Sequence, residues 1–166
     1  MIKQKGFTLI EAVLYVGISS LVILVISFFL IFLLQTNIKN QTVAEIDSQG
    51  LFVVKLISQT IRNSIGANNP IPGENNVALS LEVTDSLKNP TLFFEESGIL
   101  YIKEGSDERI PLTNSLVFVS GLSFENYSAA SLKDSISFSF LLSRINNSGR
   151  NEYNYSKNFY GASSTR

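Results

Sequence analysis

Glu11 is the side chain whose type and position most clearly suggest chemistry, because this carboxylate stands beside a long stretch without charge. From Ala12 to Ile38 the sequence contains no Asp, Glu, Lys or Arg. A charged side chain at or within a membrane costs free energy and usually has a function. An ordinary membrane anchor gains nothing from a carboxylate at this position, so Glu11 is the first candidate site residue.

The composition excludes many other kinds of site. The chain has 166 residues and contains neither Cys nor His, which excludes disulfide scaffolds, zinc fingers, His-ligated haem, and Ser-His-Asp or Cys-His catalysis. Enzymes that use only carboxylates, Lys or Tyr remain open. The sequence places no two carboxylates opposite each other and has no glycine-rich phosphate loop. We therefore expect no enzyme activity, no catalytic residue and no cofactor.

Acidic residues crowd two short segments that look like turns. A calcium loop needs several oxygen ligands within one turn, and the segment from Gly105 to Glu108 supplies too few. Solvated turn charge is the better interpretation, and we expect no metal site. The residues concerned are Glu95, Glu96, Glu104, Asp107 and Glu108.

The C-terminal part mixes basic and aromatic side chains, a combination that suits binding of single-stranded DNA. The formal net charge of the chain is −1, so no strong field attracts a nucleic acid. The aromatic residues also fit a last amphipathic strand, and DNA is therefore a possible but disfavoured partner. The residues are Arg144, Arg150, Lys157 and Arg166 with Tyr153, Tyr155, Phe159 and Tyr160.

The uncharged stretch predicts a transmembrane helix over residues 7–38. As a helix, the part from Ala12 to Leu34 is roughly 35 Å long, enough for a hydrocarbon core of about 30 Å. Lys3 and Lys5 favour a cytoplasmic N-terminus with the rest of the chain outside. The apolar core is too long for a cleaved secretory signal, and no small-residue cleavage site follows it.

Beyond the span, apolar residues recur at helical spacing and predict an amphipathic continuation over residues 39–66. Gly50 interrupts the series, where we expect a bend. The segment from Gly66 to Gly73, rich in Asn, Gly and Pro, predicts the helix end, so the helix runs roughly from Phe7 to Ile65. The apolar series is Val43, Ile46, Val53, Ile57, Ile61 and Ile65.

Residues 67–166 predict a β-sheet domain, which gives an α+β fold with one long helix packed on an antiparallel sheet. Gly121 is expected to mark a bulge. Ile136, Phe138 and Phe140 alternate on one strand and should face the helix at Val53, Ile57 and Ile61. The expected strands are 77–84, 91–95, 99–103, 109–112, 116–127, 135–141 and 153–160.

The segment Lys5-Gly6-Phe7-Thr8-Leu9-Ile10-Glu11 resembles the processing site of type IV pilins and type II secretion pseudopilins. The resemblance implies that residues 1–6 are a leader peptide, which prepilin peptidase removes by cutting after Gly6. It also implies that Phe7 becomes N-methylated and that Glu11 is the fifth residue of the mature chain. The expected helix and sheet order match the pilin-like fold.

The same resemblance implies a structural subunit of a type IV pilus-like or type II secretion filament. Its partners would be prepilin peptidase, other pilin or pseudopilin subunits, an inner-membrane assembly platform and membrane lipid. It would be a single-pass inner-membrane protein that is assembled into a surface or periplasmic filament. The order of segments from Thr91 to Tyr127 is similar to J-type pseudopilins and W-type minor pilins, which favours a minor subunit. The alternatives are a pilus-tip binding module, either an adhesin or a DNA-uptake pilin, and a plain membrane anchor.

Glu11 has a physical role in that interpretation. After cleavage, Phe7 carries an α-ammonium group and lies four residues from Glu11, on one helix face. A cation offsets much of the cost of a carboxylate in lipid. In a bundle of staggered identical helices, the ammonium of one subunit can meet Glu11 of its neighbour, and this pairing would fix the axial register of assembly.

Overall fold

The computed structural model describes residues 8–128 and 133–166, which belong to two compact units, Met1–Asn40 and Gln41–Arg166. Helix α1 (Leu9–Asn63) begins in the first unit, where it contains every described residue after Thr8. Its residues from Gln41 onwards are the first element of the second unit. The expected leader peptide, including Gly6, and Phe7 lie outside the described residues.

The first unit is an apolar helix whose side chains are exposed. Helix α1 is long and apolar enough to cross a membrane, as its sequence predicts. Three of its hydroxyl groups bond within the helix: Ser20, Ser27 and Thr36 donate to the carbonyl oxygens four residues earlier at 2.7, 2.8 and 3.0 Å. Polar side chains satisfied in this way are compatible with a hydrocarbon environment.

In the second unit, α1 buries one stripe of side chains, as the helical period predicts. The buried residues of this stripe are Thr42, Ile46, Gly50, Val53, Ile57, Ser58 and Ile61. The helix ends at Asn63, two residues earlier than expected, and a strand begins at Ser64. Ile65 was expected on the buried stripe but lies in this strand with 55% of its surface exposed. The Ser64 hydroxyl donates to the Ile61 carbonyl oxygen at 2.7 Å, which satisfies one carbonyl of the final turn.

The rest of the second unit forms two antiparallel sheets, where the sequence analysis expected one. The first sheet has the order β1-β3-β4-β5-β6 and the second β2-β7-β8-β9. A short 3-10 helix, Asn151–Tyr153, precedes β9. The strands are β1 (Ser64–Asn69), β2 (Asn75–Asn76), β3 (Leu79–Val83), β4 (Thr91–Glu96), β5 (Ile99–Glu104), β6 (Ile110–Pro111), β7 (Val117–Asn126), β8 (Ser135–Arg144) and β9 (Ser156–Ser164).

One core lies between the helix and both sheets. It contains Val53, Ile57 and Ile61 from α1 together with the side chains of β8 that were expected to face them. That expected face is confirmed, since Ile136, Phe138 and Phe140 are all buried. The sheet residues of the core also include Leu79, Leu81, Phe93, Leu100, Val117, Val119, Phe124, Leu142 and Phe159.

Two glycines position the strands in different ways. Gly121 has a φ of 61° and lies where the register of β7 and β8 shifts, which confirms the expected bulge. Gly50 is buried in α1, and a Cβ atom there would overlap the ring of Phe159 from β9. The structure therefore gives Gly50 a packing role: the missing side chain lets β9 lie against the helix.

Candidate functional site

The candidate site at the start of α1 is organised by Thr8. The Glu11 amide donates to the Thr8 hydroxyl oxygen at 3.4 Å, and the Ala12 amide donates to the Thr8 carbonyl oxygen at 3.1 Å. Thr8 is therefore the N-cap of the helix. Thr8 and Glu11 stand at the spacing of a capping box, in which a Glu three residues after the cap suits the first turn. This local role of Glu11 differs from the role in assembly register that was expected from the sequence.

The chemistry available at this position is that of a single carboxylate. Glu11 lies in the first turn of α1 and is exposed. The partial positive charge at a helix N-terminus favours an anion there. The structure shows no ion pair for Glu11 within residues 8–128 and 133–166. Its expected partner, the amine of Phe7, and the expected cleavage position after Gly6 both lie outside the described residues.

A second polar cluster, absent from the sequence analysis, joins α1 to the sheets at Glu45. One Glu45 carboxylate oxygen accepts from Arg144 Nη1 at 2.8 Å, and the other accepts from Asn114 Nδ2 at 2.7 Å and from Gln49 Nε2 at 3.2 Å. The Asn114 amide donates to Gln49 Oε1 at 3.1 Å. Because the Arg144 side chain is only 15% exposed, removing Glu45 would leave a largely buried cation without its carboxylate. We name this set the Glu45 cluster and assign it a structural role.

The basic and aromatic C-terminal residues do not form an open cationic surface. Arg144 pairs with Glu45, and Lys157 Nζ contacts Asp47 Oδ1 at 2.9 Å. The hydrogen bond and charge of Asp47 raise the pKa of the Lys157 ammonium group above its usual value. Arg150 contacts Glu152 at 3.2 Å. Three of the four basic side chains are thus paired with carboxylates in the structure.

The acidic turns are occupied by local contacts. Glu104 pairs with Lys88 at 3.0 Å, and Glu96 pairs with Arg109. Glu95 accepts from the Gly98 amide at 2.6 Å in the β4–β5 turn. Within the described ranges no group of three or more acidic side chains is placed to hold a metal ion. Glu95, Glu96 and Glu104 thus have local structural contacts.

A third polar cluster, also missed from the sequence, connects both sheets near the end of α1. Asn126 is fully buried and donates to the Pro70 carbonyl oxygen at 3.0 Å and to Asp134 Oδ1 at 3.1 Å. The other Asp134 carboxylate oxygen accepts from the Ala67 amide at 2.8 Å. These groups satisfy one another, so they fix the position of β1 against β7 and are not free to bind a ligand.

Comparison of this chain with protein-family models, with curated proteins and with solved structures finds no match.

Proposed function

We propose that the chain is a minor pilin or pseudopilin, a structural subunit of a type IV pilus-like or type II secretion filament. The observation that carries the proposal is the heptapeptide from Lys5 to Glu11, whose last three residues begin a helix apolar enough to span a membrane. The fold is compatible with this role, because one helix provides both the apolar segment and the buried stripe of a β-rich domain.

In this proposal the chain is made as a single-pass inner-membrane precursor with its N-terminus in the cytoplasm. Prepilin peptidase cuts after Gly6, whose lack of a side chain suits entry into a protease cleft, and Phe7 becomes the methylated N-terminus. The Glu11 carboxylate then pairs with the terminal ammonium group of a neighbouring subunit. An unpaired charge in lipid disfavours every other axial offset, so this pair selects one register for the filament.

Processing is tested by mass spectrometry of the membrane-associated chain from its own cells. The expected mature protein begins at Phe7 and carries one added methyl group. A Gly6→Val variant should remain uncut in the membrane, because its branched side chain would obstruct the protease cleft. Recovery of the wild-type protein with an intact Met1 start would refute the processing step.

The capping-box spacing of Thr8 and Glu11 offers a competing explanation for the Glu11 side chain, which the register test must separate. A capping residue acts on its own helix, whereas a register residue acts through its charge on a neighbouring subunit. Glu11→Gln preserves the capping-box chemistry, since Gln serves in that motif as Glu does, but it removes the charge. The Gln variant therefore distinguishes the two roles, which Ala alone cannot do.

The measurement is the amount of subunit in sheared filaments for wild type, Glu11→Gln, Glu11→Asp and Glu11→Ala. The register role predicts that Gln and Ala fail equally although they are inserted and cleaved normally. Asp should be partly defective, because it keeps the charge but is one methylene shorter. Wild-type incorporation of the Gln variant would show that Glu11 serves only to cap its helix. Wild-type incorporation of all four proteins would reject the register role of Glu11.

A further inference from the structure

The outer face of the second sheet carries a groove that the proposed filament function does not use. Two adjoining cavities, of about 530 and 220 Å³, lie over strands β7, β8 and β9 and share Tyr127, Ser137 and Ala162 in their linings. Tyr160 lines the larger cavity, and Ser135 and Ser164 line the smaller. The two cavities form one elongated depression, which we call the β8 groove.

Tyr127 lies across this groove in a fixed orientation. Its hydroxyl group donates to Glu125 Oε2 at 2.5 Å. The hydrogen bond to Glu125 raises the pKa of Tyr127 above its usual value. The side chain nevertheless remains 65% exposed. The phenol is therefore held at its polar end while its ring stays open to solvent, so little rotamer entropy is lost when a ligand contacts the ring.

Tyr160 is the second exposed ring, at the far side of the groove. It is 69% exposed and lies opposite Ser139 of β8, whereas Tyr127 lies opposite Ser135. The two tyrosines are thus two strands and four residues apart. At about 4.8 Å per strand and about 3.4 Å per residue, their Cα atoms are roughly 17 Å apart. That distance matches an extended ligand of several rings better than a single small molecule.

The charge and polarity of the lining restrict the chemistry of the ligand. Among the described residues that line the two cavities there is one acidic side chain, Glu125, and no basic one. A nucleic acid, an acidic polysaccharide or an anionic lipid surface would meet a carboxylate without any compensating cation. The lining between the rings includes Ser135, Ser137, Ser139 and Ser164 beside the apolar Ala162, so it offers hydroxyl groups together with carbon surface. A neutral ligand rich in hydroxyl groups is complementary to both features.

We propose that the β8 groove binds a neutral oligosaccharide, with the rings of Tyr127 and Tyr160 stacking on sugar rings. The apolar C–H faces of pyranoses pack on aromatic rings, and their hydroxyl groups exchange hydrogen bonds with serine side chains and with the free lone pairs of Glu125. The site is independent of assembly into a filament, so each proposal can fail without the other.

The test uses the full chain in non-ionic detergent micelles and a panel of neutral oligosaccharides: maltohexaose, cellohexaose, chitohexaose and mannohexaose. A hyaluronan hexamer and a thymidine 20-mer provide the anionic comparison. Because the detergent should not itself carry a sugar, a polyoxyethylene detergent is required. Binding is followed by saturation-transfer NMR and by tyrosine fluorescence, which is readable because the chain has six Tyr and no Trp.

Matched variants locate the binding. Tyr127→Ser and Tyr160→Ser should each weaken the best neutral ligand about tenfold, the worth of one aromatic contact. Tyr127→Phe keeps the ring and should weaken binding less than Tyr127→Ser. Phe52→Ser removes an exposed ring from helix α1 and should leave binding unchanged. Circular dichroism of each variant checks that the fold is retained.

Saturable binding of a neutral oligosaccharide with this order of variants is the expected result. Three outcomes would overturn the proposal: no saturable binding to any of the four neutral sugars, stronger binding of either anionic polymer, or an equal loss of affinity in Phe52→Ser. If instead Tyr127→Ser and Tyr160→Ser bind every sugar as the wild type does but fail to enter filaments, the groove is a contact between subunits. The glycan proposal is then wrong.

Discussion

Substitution of Gly50 by alanine should have opposite effects on stability depending on what lies at position 159. In a helix interior, alanine is favoured over glycine by about 1 kcal/mol. At Gly50, however, the new Cβ would overlap the ring of Phe159. That ring is 5% exposed and stacks on Phe140 with centroids 5.4 Å apart, so it has little room to move.

The magnitude follows from these two terms. Overpacking a filled core costs about 1–3 kcal/mol, and the gain in helix propensity offsets about 1 kcal/mol of it. Gly50→Ala should therefore destabilise the second unit by about 1 kcal/mol in the wild-type background. In a Phe159→Ala background, which itself costs about 3–5 kcal/mol, the clash is absent. The same substitution should then stabilise the protein by about 1 kcal/mol.

The assay is chemical denaturation of a fragment spanning Gln41–Arg166, the second compact unit, followed by circular dichroism. The four proteins of the double-mutant cycle should have the same m-value. Differences in the midpoint of denaturation then report differences in stability. The expected coupling between the two positions is about 2 kcal/mol. Additive effects would show that β9 does not pack on the helix at Gly50. Stabilisation by Gly50→Ala in both backgrounds would instead mean that the glycine serves only to loosen the helix.

Three further substitutions test the core and the polar contacts in the same fragment. Phe138→Ala should cost about 3–5 kcal/mol, because the ring is almost fully buried between helix and sheet. Gly161→Ala should cost about 1–3 kcal/mol in denaturation measurements, because its Cβ would overlap the ring of Phe138. Glu45→Ala should cost about 2 kcal/mol, since Arg144 loses its carboxylate in a largely buried position. Glu82→Ala, at an exposed strand position, is the control for the last substitution and should leave the unfolding midpoint unchanged.

The sequence predicted the helix and strands whose own residue pattern indicates which side chains are buried. The uncharged stretch and the helical period gave a helix that is found as α1, and clean alternation gave the buried face of β8. Strands 91–95 and 99–103 were expected close together, and Ser97 and Gly98 between them both have positive φ, of 54° and 78°, in the turn that joins β4 and β5. In each case, local conformation and burial follow from residues close together in the chain, so one sequence segment is enough to infer them.

The elements that were missed depend on contacts between distant segments. Strand β1 contains Gly66, Asn68 and Asn69 and has no apolar alternation, so its composition predicted only a helix end. It forms because it pairs with β3 and because its Ala67 amide bonds to Asp134, 67 residues away. The Glu45 cluster likewise joins residues separated by 69 and 99 positions. Sequence spacing carries no sign of such pairs, because each side chain alone resembles an ordinary surface residue.

Strand β9 shows how a weak pattern can still belong to the core. Its inward positions are Lys157, Phe159, Gly161 and Ser163, of which only Phe159 is a large apolar residue. The small residues are needed because this strand lies close to its neighbours: Gly161 faces the ring of Phe138, and the Ser163 hydroxyl donates to the Ser58 carbonyl oxygen of α1 at 3.2 Å. Lys157, near the start of β9, contacts Asp47 of the helix. At these two positions a larger side chain would not fit, since the space beside Gly161 is filled by the ring of Phe138 and Ser163 lies against the helix backbone.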